Sequence, residues 1–412
     1  MITFDYKPPI GGRFSHLLCY LSIMKAAFVP ILLFFCFQVH AQNTKPLLVG
    51  KTAGKLPYLK YGLGEDRLGG AKMGFVDTNV VMKVVDSSLD DYKVQLSAYH
   101  YAYLPKACFL KDSSVYLRPY YLSGSLKVFG DSAADYVSVN LNERLPYRSS
   151  QQINPSRIVV DIFGVTSNTN WITQLGTVKE IRNTWYEQVE DDVFRIIIEL
   201  KHARHWGYSM AYDSAGNKLL IRIKRQPAIP DIHKLKIAID AGHGGENLGA
   251  SGVNHNILEK DYTLRIAKEL EKLMKKNKVK SFMTRTKDTT LSMVERIEML
   301  KQQNPDLLVS IHLNSSDMDT VRGTSTYYRY IGFRPLSQAI LKRMLELGLK
   351  EFGNVGSFNF ALSGPTDYPN CLVEVAFLSN PADEKKILDP RFQKNVATKI
   401  YLGIVDWLKQ LK

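Results

Sequence analysis

The sequence predicts an α/β domain, built on a mixed sheet with helices on both faces, that follows two small β-rich domains. One observation is that strand-like and helical segments alternate over residues 232–412, which is typical of layered α/β folds. Another is that short β-branched segments separated by turn residues fill residues 47–225, as in β-rich domains. The length of 412 residues also exceeds what one ordinary core organises.

The first 41 residues have the pattern of a secretory signal peptide. Lys25 precedes an apolar stretch at residues 26–37, and residues 39–41 resemble a cleavage site. We expect cleavage after Ala41, and Met24 is a second candidate for the true start. A membrane anchor is the alternative, but Lys25 interrupts the apolar stretch before it reaches the length of a span. We therefore expect an exported protein that is periplasmic or associated with the cell wall.

The chain is basic. Its 54 Lys and Arg residues against 40 Asp and Glu give a formal charge of +14, an excess that favours an anionic partner. Charge alone does not choose among a cell-wall polymer, a membrane surface and nucleic acid. The sequence has no nucleic-acid-binding motif, so we expect no nucleic acid partner. After the predicted cleavage only Cys108 and Cys371 remain, which does not make a disulfide framework.

Residues 47–118 are interpreted as a small β-barrel. Segments 80–85 and 92–96 are rich in β-branched residues and flank a turn cluster at 86–91. Alternating tyrosines then lead up to Pro105. The pattern is similar to bacterial SH3-like modules, although many β modules share it.

Residues 122–225 are interpreted as a β-sandwich. Four segments have the composition of strands: 157–165, 178–182, 193–200 and 218–223. An arginine-led strand ending in Asp-Ile, followed by a Val-x-x-Ile-Arg strand, resembles the AMIN domain, which implies a module that targets amidases to peptidoglycan. Trp185, Tyr186 and Trp206 are candidates for stacking on sugars, but packing in the core is the more frequent fate of such side chains.

A Pro-bearing polar linker at residues 224–231 precedes the α/β domain, which we place at 232–412. Its predicted strands are 235–240, 279–284, 307–311, 324–328 and 372–377, and its predicted helices are 261–275, 291–303, 336–349 and 392–411. In open α/β sheets, sites gather beyond the carboxyl ends of the strands. Polar residues at those ends are therefore the first candidates for function.

Two histidines and two glutamates are the candidate site residues. His243 follows the first strand in a glycine-rich turn, His312 ends a buried strand, and Glu259 opens a helix. Two His and one carboxylate are a common ligand set for a catalytic zinc with an open fourth position. Glu374 lies within an apolar strand, where an unpaired carboxylate is costly. It is the candidate for proton transfer beside the metal.

Each of these residues also has a structural interpretation. His243 is explained equally by a loop position, and His312 by a core histidine bonded to a carbonyl. Glu259 is favoured by the dipole at the start of a helix. Only the coincidence of all four residues favours a site. His255 and Glu246, which lie near His243 in the sequence, are competing ligand candidates and rank below Glu259.

Five motifs follow one another in the α/β domain: 239–246, 258–261, 283–288 together with Arg296, 310–315, and 372–384. In this order, over residues 234–412, they resemble the zinc-dependent N-acetylmuramoyl-L-alanine amidase family (amidase_3 type). The resemblance implies that His243, Glu259 and His312 bind Zn²⁺ and that Glu374 is the catalytic residue. The implied reaction is hydrolysis of the amide that joins the lactyl group of N-acetylmuramic acid to L-alanine.

The sequence also departs from the family pattern. Asn247 stands where the family often has an acid, and residues 254–256 replace a more glycine-like turn. Some family members carry an inserted helix that blocks the zinc. Here one predicted helix, at 336–349, accounts for the interval between His312 and Glu374, and we expect no such block.

Two other functions stay open at this point. One is a catalytically silent wall-binding or activator protein of the same fold, and the other is a zinc peptidase of the wall peptide. Peptidoglycan is the expected partner in each case, and an activator protein at the wall is a further candidate. The oligomeric state stays undetermined. We also expect residues 232–412 alone to hydrolyse soluble wall fragments.

Overall fold

The computed structural model describes residues 46–64, 68–214 and 216–411. The predicted signal peptide lies outside these residues. None of the helices described combines the length and the hydropathy that crossing a membrane requires. All the described residues belong to one compact unit.

The chain begins with a seven-stranded antiparallel sheet, here called the N-terminal module (46–111). Its order is β3-β2-β6-β5-β4-β1-β7. Buried aliphatic side chains such as Val84, Val94 and Leu104 form its core. The strands are β1 Leu48–Thr52, β2 Tyr58–Lys60, β3 Lys72–Phe75, β4 Val81–Ser87, β5 Asp91–Gln95, β6 Tyr101–Pro105 and β7 Phe109–Lys111, with a 3-10 turn at Lys106–Cys108. The expected strands at 80–85 and 92–96 are present, and the SH3-like assignment stays a prediction.

Two further sheets form a second β-rich region. One has the order β10-β11-β15-β14, and the other has the order β12-β8-β9-β17-β16 with β13 beside β8. The two sheets share one apolar cluster, which extends into the N-terminal module. The strands are β8 Tyr121–Gly130, β9 Ala134–Leu141, β10 Tyr147–Ile153, β11 Ser156–Phe163, β12 Val165–Thr166, β13 Ile172–Gln174, β14 Ile181–Glu190, β15 Val193–Leu200, β16 Tyr208–Tyr212 and β17 Lys218–Lys224.

The third region has a six-stranded mixed sheet of order β19-β18-β20-β23-β21-β22. β19, β18, β20 and β23 run parallel to one another. β21 runs antiparallel to β23, and β22 runs parallel to β21. The strands are β18 Lys236–Ala241, β19 Lys280–Met283, β20 Leu307–Asn314, β21 Thr324–Tyr327, β22 Glu351–Val355 and β23 Asn370–Phe377. The helices are α1 Glu259–Lys276, α2 Met293–Gln303, α3 Arg334–Leu345, α4 Pro381–Leu388 and α5 Pro390–Lys409, with 3-10 turns at Ile232–Lys234, Ile331–Phe333 and Ala361–Ser363.

Helices cover both faces of this sheet. Alternate residues of a strand point to opposite faces. In β20, Val309 packs in the cluster that contains buried residues of α1, α3 and α5, whereas its neighbour Leu308 packs with Ile297 and Leu300 of α2. The sequence prediction of a mixed sheet preceded by a β-rich region is confirmed.

Local sequence explains where several helices begin. Ser292 and Glu295 form a reciprocal capping box at the start of α2. Asn380 and Asp389 accept hydrogen bonds from the first backbone N–H groups of α4 and α5, and each is followed by a proline. Because these caps satisfy N–H groups that have no partner within the helix, they define the start of each helix.

The β-rich regions dock directly on the third region. The ring of Trp206 stacks on that of Trp407 in α5, with centroids 5.0 Å apart, so Trp206 is a core residue and not a sugar-binding candidate. Lys224 donates to the carbonyl of Pro305 at 2.7 Å. Residues 224–231 were predicted to be a linker, but this anchor ties the start of that segment to the third region.

Candidate metal centre

Three parallel strands place the candidate residues at one edge of the sheet. β18, β20 and β23 are neighbours and run in the same direction, so their carboxyl ends meet. His243 follows β18 by two residues, and His312 lies near the end of β20. Glu259 is the first residue of α1, which follows the His243 loop. The topology therefore brings together residues that are far apart in the sequence.

His243, Glu259 and His312 form a compact cluster. Oε1 of Glu259 lies 3.0 Å from Nε2 of His243 and 3.0 Å from Nδ1 of His312. One donor atom from each residue lies within 4.8 Å of the other two. The side chains of Glu259 and His312 are only 4% and 8% exposed, whereas that of His243 is 21% exposed. The cluster is thus buried on one side and open to solvent at His243.

The two acceptor oxygens of Glu259 are held by the backbone. The N–H of Leu313 donates to Oε1 at 2.9 Å, and the N–H of Ala250 donates to Oε2 at 2.8 Å. Burial alone would raise the pKa of Glu259, but the hydrogen bonds and charges of His243 and His312 outweigh it and hold that pKa well below its usual range. Glu259 is therefore an anion in a fixed orientation.

Glycines allow the close approach of these side chains. A Cβ on Gly242 would lie 2.4 Å from the ring of His312, and a Cβ on Gly249 would lie 2.5 Å from Oε2 of Glu259. His243 itself has a φ of 62°, a left-handed conformation that non-glycine residues rarely adopt. Such local strain clusters at functional sites.

Two buried arginines hold the loop that carries His243. Arg285 donates to the carbonyls of Ala241 and Gly242 at 2.9 and 2.8 Å. Arg296 donates to the carbonyls of Ala241 and His243. Since a buried carbonyl without a partner is costly, these guanidinium groups stabilise a backbone that leaves the strand sharply.

Glu374 lies beside the cluster on the same face of the sheet. Its Cα pairs with that of His312 across the parallel strands β20 and β23, and residues paired in this way point to the same face. Glu374 is half-buried, whereas every other residue of β23 is buried. The position combines proximity to the metal ligands with access to solvent.

The weaker ligand candidates are not part of the cluster. His255 pairs with the buried Glu384, with Nδ1 and Oε2 3.1 Å apart. Glu246 is exposed, and its backbone N–H donates to the Thr290 hydroxyl. Neither contributes a donor atom to the group formed by the other three residues.

Sequence reasoning missed two residues that contact the histidines. Oδ1 of Asn247 lies 2.8 Å from Nδ1 of His243, so this departure from the family pattern is a hydrogen-bond partner of a candidate ligand. The ring of Phe360 lies edge-on to that of His312, with centroids 5.4 Å apart. The contact of Asn247 could have been predicted from its position four residues after His243. No sequence feature indicated the contact between Phe360 and His312.

The helix predicted at 336–349 does not cover the cluster. It is α3, it ends at Leu345, and its buried side chains pack with Val309. His312 and Ser310 alternate with Val309 along β20, so they point to the opposite face. No strand was predicted between 336–349 and 372–377, but Glu351–Val355 form the edge strand β22.

The cluster fits a transition metal of the zinc type. Imidazole nitrogens and a carboxylate oxygen are zinc donors, and here all three converge. The hydrogen bond between Asn247 and Nδ1 of His243 leaves Nε2 as the donor atom that faces Glu259. Such an outer partner fixes the orientation of a ligating histidine.

Two family models match the chain. Residues 237–406 match the family model described as N-acetylmuramoyl-L-alanine amidase, and residues 127–223 match that of the AMIN domain. The N-acetylmuramoyl-L-alanine amidase AmiC of Escherichia coli O6:H1 is 25% identical, over 68% of this chain and 88% of the relative. The probable cell wall amidase LytH of Staphylococcus aureus is 33% identical, over 42% of this chain and 57% of its own length. This chain therefore spans little more than half of LytH.

A solved structure is similar as well. The catalytic domain of CwlV, an N-acetylmuramoyl-L-alanine amidase from Bacillus (Paenibacillus) polymyxa var. colistinus, is 33% identical. The match covers 42% of this chain and 98% of that domain, with a TM-score of 0.41. Residues 237–406 therefore form a domain of the N-acetylmuramoyl-L-alanine amidase family, and residues 127–223 form an AMIN domain.

Proposed function

We propose that the protein is an exported peptidoglycan hydrolase that cleaves the amide bond between N-acetylmuramic acid and L-alanine. His243, Glu259 and His312 hold Zn²⁺, and Glu374 is the general base. The observation that carries the proposal is the register of β20 and β23, which sets Glu374 directly beside His312 in a domain of the amidase family.

The metal and the protein have separate tasks in this reaction. Zn²⁺ held by the three ligands supplies a Lewis acid that polarises the amide carbonyl and lowers the pKa of water to about 7. Glu259 contributes a negative charge, and Asn247 keeps His243 in the orientation in which Nε2 faces the other ligands. The arginine contacts to the loop carbonyls keep this geometry fixed.

Glu374 handles the protons. As water attacks the carbonyl carbon, the carboxylate accepts its proton, and the protonated carboxyl then delivers a proton to the departing alanine nitrogen. The C–N bond breaks, and the lactyl carboxylate and the free amino group of the stem peptide are the products. The half-buried position of Glu374 is compatible with this exchange. A general base of this kind contributes about 10²–10⁴-fold to the rate.

The AMIN domain is proposed to bind the glycan of the wall. Trp171 of this domain is 63% exposed and lines an open cleft with Asn140, Asn168 and Asn170. An aromatic face beside amide groups suits a sugar, because the ring stacks on C–H groups while the amides bond the hydroxyls. Trp185 is not proposed to stack on a sugar, because the Arg157 guanidinium already lies over its ring, 5.0 Å from the centroid.

Product analysis tests the proposed reaction. Purified peptidoglycan is incubated with the zinc-loaded protein, and the products are separated and identified by mass spectrometry. New amino groups on L-alanine with intact glycan chains are expected. Cleavage within the peptide would assign a peptidase instead, and no cleavage together with retained wall binding would assign a silent binding protein.

A variant pair assigns the base. Glu374→Gln is expected to lower kcat by about 10²–10⁴-fold while one zinc per protein stays bound, because Glu374 is not a proposed ligand. Glu271→Gln on the surface of α1, where Glu271 pairs only with Lys275, is the matched control and keeps full activity. Wild-type turnover in Glu374→Gln would refute the role of Glu374.

A further inference from the structure

A cleft forms where the three regions of the chain meet. It is lined by residues of the N-terminal module, the second β-rich region and the third region. The N-terminal module contributes Tyr61, which is 56% exposed, and Lys72. β10 contributes Ser149 and Ser150, and Arg329 follows β21. No single domain of the chain contains this cleft.

The cleft carries two cations, Lys72 and Arg329. Neither Lys72 nor Arg329 forms an ion pair with a carboxylate among the residues that the structure describes. The neighbouring Lys60 already pairs with Asp91 at 2.7 Å. Burial, and next the charges of Arg329 and Lys60, lower the pKa of Lys72. Like charges held together in a half-buried cleft favour an anionic ligand.

Aromatic rings and backbone contacts hold the cations in place. The Lys72 ammonium lies 5.5 Å from the Tyr58 ring centroid, and the Arg329 guanidinium lies 5.5 Å from that of Tyr330. Arg329 also donates to the Lys72 carbonyl. The two positive charges are therefore fixed relative to each other across a domain boundary, as a preorganised binding site requires.

The cleft leads to the metal centre through one short segment. Asn359 lines the cleft, and its side chain joins the N-terminal module by accepting from the Lys72 N–H and donating to the Gly70 carbonyl, both at 3.1 Å. The next residue, Phe360, packs against His312. Asn359 and Phe360 therefore join the wall of the cleft to the ligand cluster through one peptide bond.

We propose that this cleft binds the acidic stem peptide of peptidoglycan, on the alanine side of the scissile amide, with Lys72 and Arg329 bound to its carboxylates. The inference rests on the proposed amidase function and adds the part of the substrate that the N-terminal module recognises. The glycan offers mainly hydroxyls to a protein, whereas the stem peptide offers carboxylates, which is why a pair of cations favours the peptide.

Calorimetric titration of the zinc-loaded full-length protein tests the site without requiring turnover. The probes are L-Ala-γ-D-Glu-meso-diaminopimelate and its triamide. The acidic peptide is expected to bind about tenfold more tightly than the triamide, the size expected for a charge-assisted hydrogen bond. Lys72→Gln is expected to reduce this difference, because only Arg329 then remains to bind a carboxylate. Equal affinities of the wild type for the two peptides would overturn the proposal.

Matched variants separate recognition from folding. Lys106→Gln removes a lysine of the same module that lies over Tyr92 at 5.3 Å and outside the cleft, and it keeps the wild-type preference. Tyr61→Ala weakens binding of the acidic peptide without touching a charge. Unchanged preference in Lys72→Gln, or loss of preference in Lys106→Gln, would refute the assignment.

Kinetics distinguish this inference from the proposed reaction. With a soluble muropeptide as substrate, Lys72→Gln is expected to raise KM about tenfold with little change in kcat. If the wild type does not cleave the muropeptide but still prefers the acidic peptide, the proposed amidase function is wrong and the peptide-binding role of the cleft is supported. If it cleaves the muropeptide without that preference, the peptide-binding role is wrong and the amidase function is supported.

Discussion

Replacing Arg296 by methionine tests how far the loop that carries His243 depends on one buried ion pair. Nη1 of Arg296 lies 2.5 Å from Oδ1 of Asp240, and both side chains are 1% exposed. The same guanidinium donates to the carbonyl of His243. Methionine keeps much of the volume but removes the charge and every donor. The variant therefore isolates the electrostatic contribution of Arg296.

The expected magnitude follows from the charge that stays behind. Burial alone would raise the pKa of Asp240, but Arg296 and the hydroxyls of Ser310 and Thr284 outweigh it and hold that pKa below its usual range. Removing one partner of a buried pair typically costs about 3–5 kcal/mol because the other charge is uncompensated. Since two hydroxyl donors to Asp240 remain, we expect a loss near the lower end, about 3 kcal/mol.

Urea unfolding of the wild type and the variants measures this loss. The double variant Asp240→Asn/Arg296→Met removes the uncompensated charge and is expected to be more stable than Arg296→Met by about 1 kcal/mol or more. Lys275→Met breaks the exposed pair with Glu271 and is the control, with an expected loss below about 0.5 kcal/mol. A loss below about 1 kcal/mol in Arg296→Met, or a double variant no more stable than the single one, would refute the reasoning.

Three further predictions concern the metal centre and the wall. His243→Ala is expected to lose stoichiometric zinc at micromolar metal, because the cluster keeps only two donors; full zinc content by elemental analysis would remove the ligand assignment. Gly242→Ala is expected to cost more free energy of zinc binding than free energy of unfolding, since its Cβ would meet the His312 ring at 2.4 Å. A zinc affinity equal to that of the wild type, measured by competition with a chelator, would contradict this. Trp171→Ala is expected to reduce pelleting with purified peptidoglycan while hydrolysis of a soluble muropeptide is unchanged; wild-type pelleting would exclude that face.

The sequence predicted the α/β domain well because its strands are buried on both faces. Such strands are continuous apolar runs, as in 307–311, and a polar residue such as His312 or Glu374 is conspicuous within them. The strand β22 was missed for the opposite reason. Glu351–Val355 contains a glycine and an asparagine, lies at the sheet edge and pairs only with β21, so pairing with a neighbour, and not local composition, makes it a strand.

Long-range contacts were not predictable from local pattern. Trp206 precedes a strand of the second β-rich region, yet it packs in the core of the third region against Trp407. Trp171 has the same chemistry and is exposed, and nothing in the flanking residues distinguishes the two. Likewise, the contact between Phe360 and His312 depends on the loop before β23, whose course is set by its partners in the N-terminal module.

The predicted domain boundaries do not separate independent hydrophobic cores. Phe75 of the N-terminal module packs in the same cluster as Leu362 and Tyr368 of the third region, and Asn359 is bonded to the module on both its amide and its carbonyl side. A fragment of residues 232–412 would keep all four proposed site residues but expose this apolar surface and release the segment that presses Phe360 against His312. Residues 232–412 alone are therefore expected to hydrolyse soluble wall pieces only if the segment that carries Phe360 keeps its position without the N-terminal module. In this chain the N-terminal module holds Asn359, next to the ring that packs on His312, so the surroundings of His312 depend on the way the regions dock.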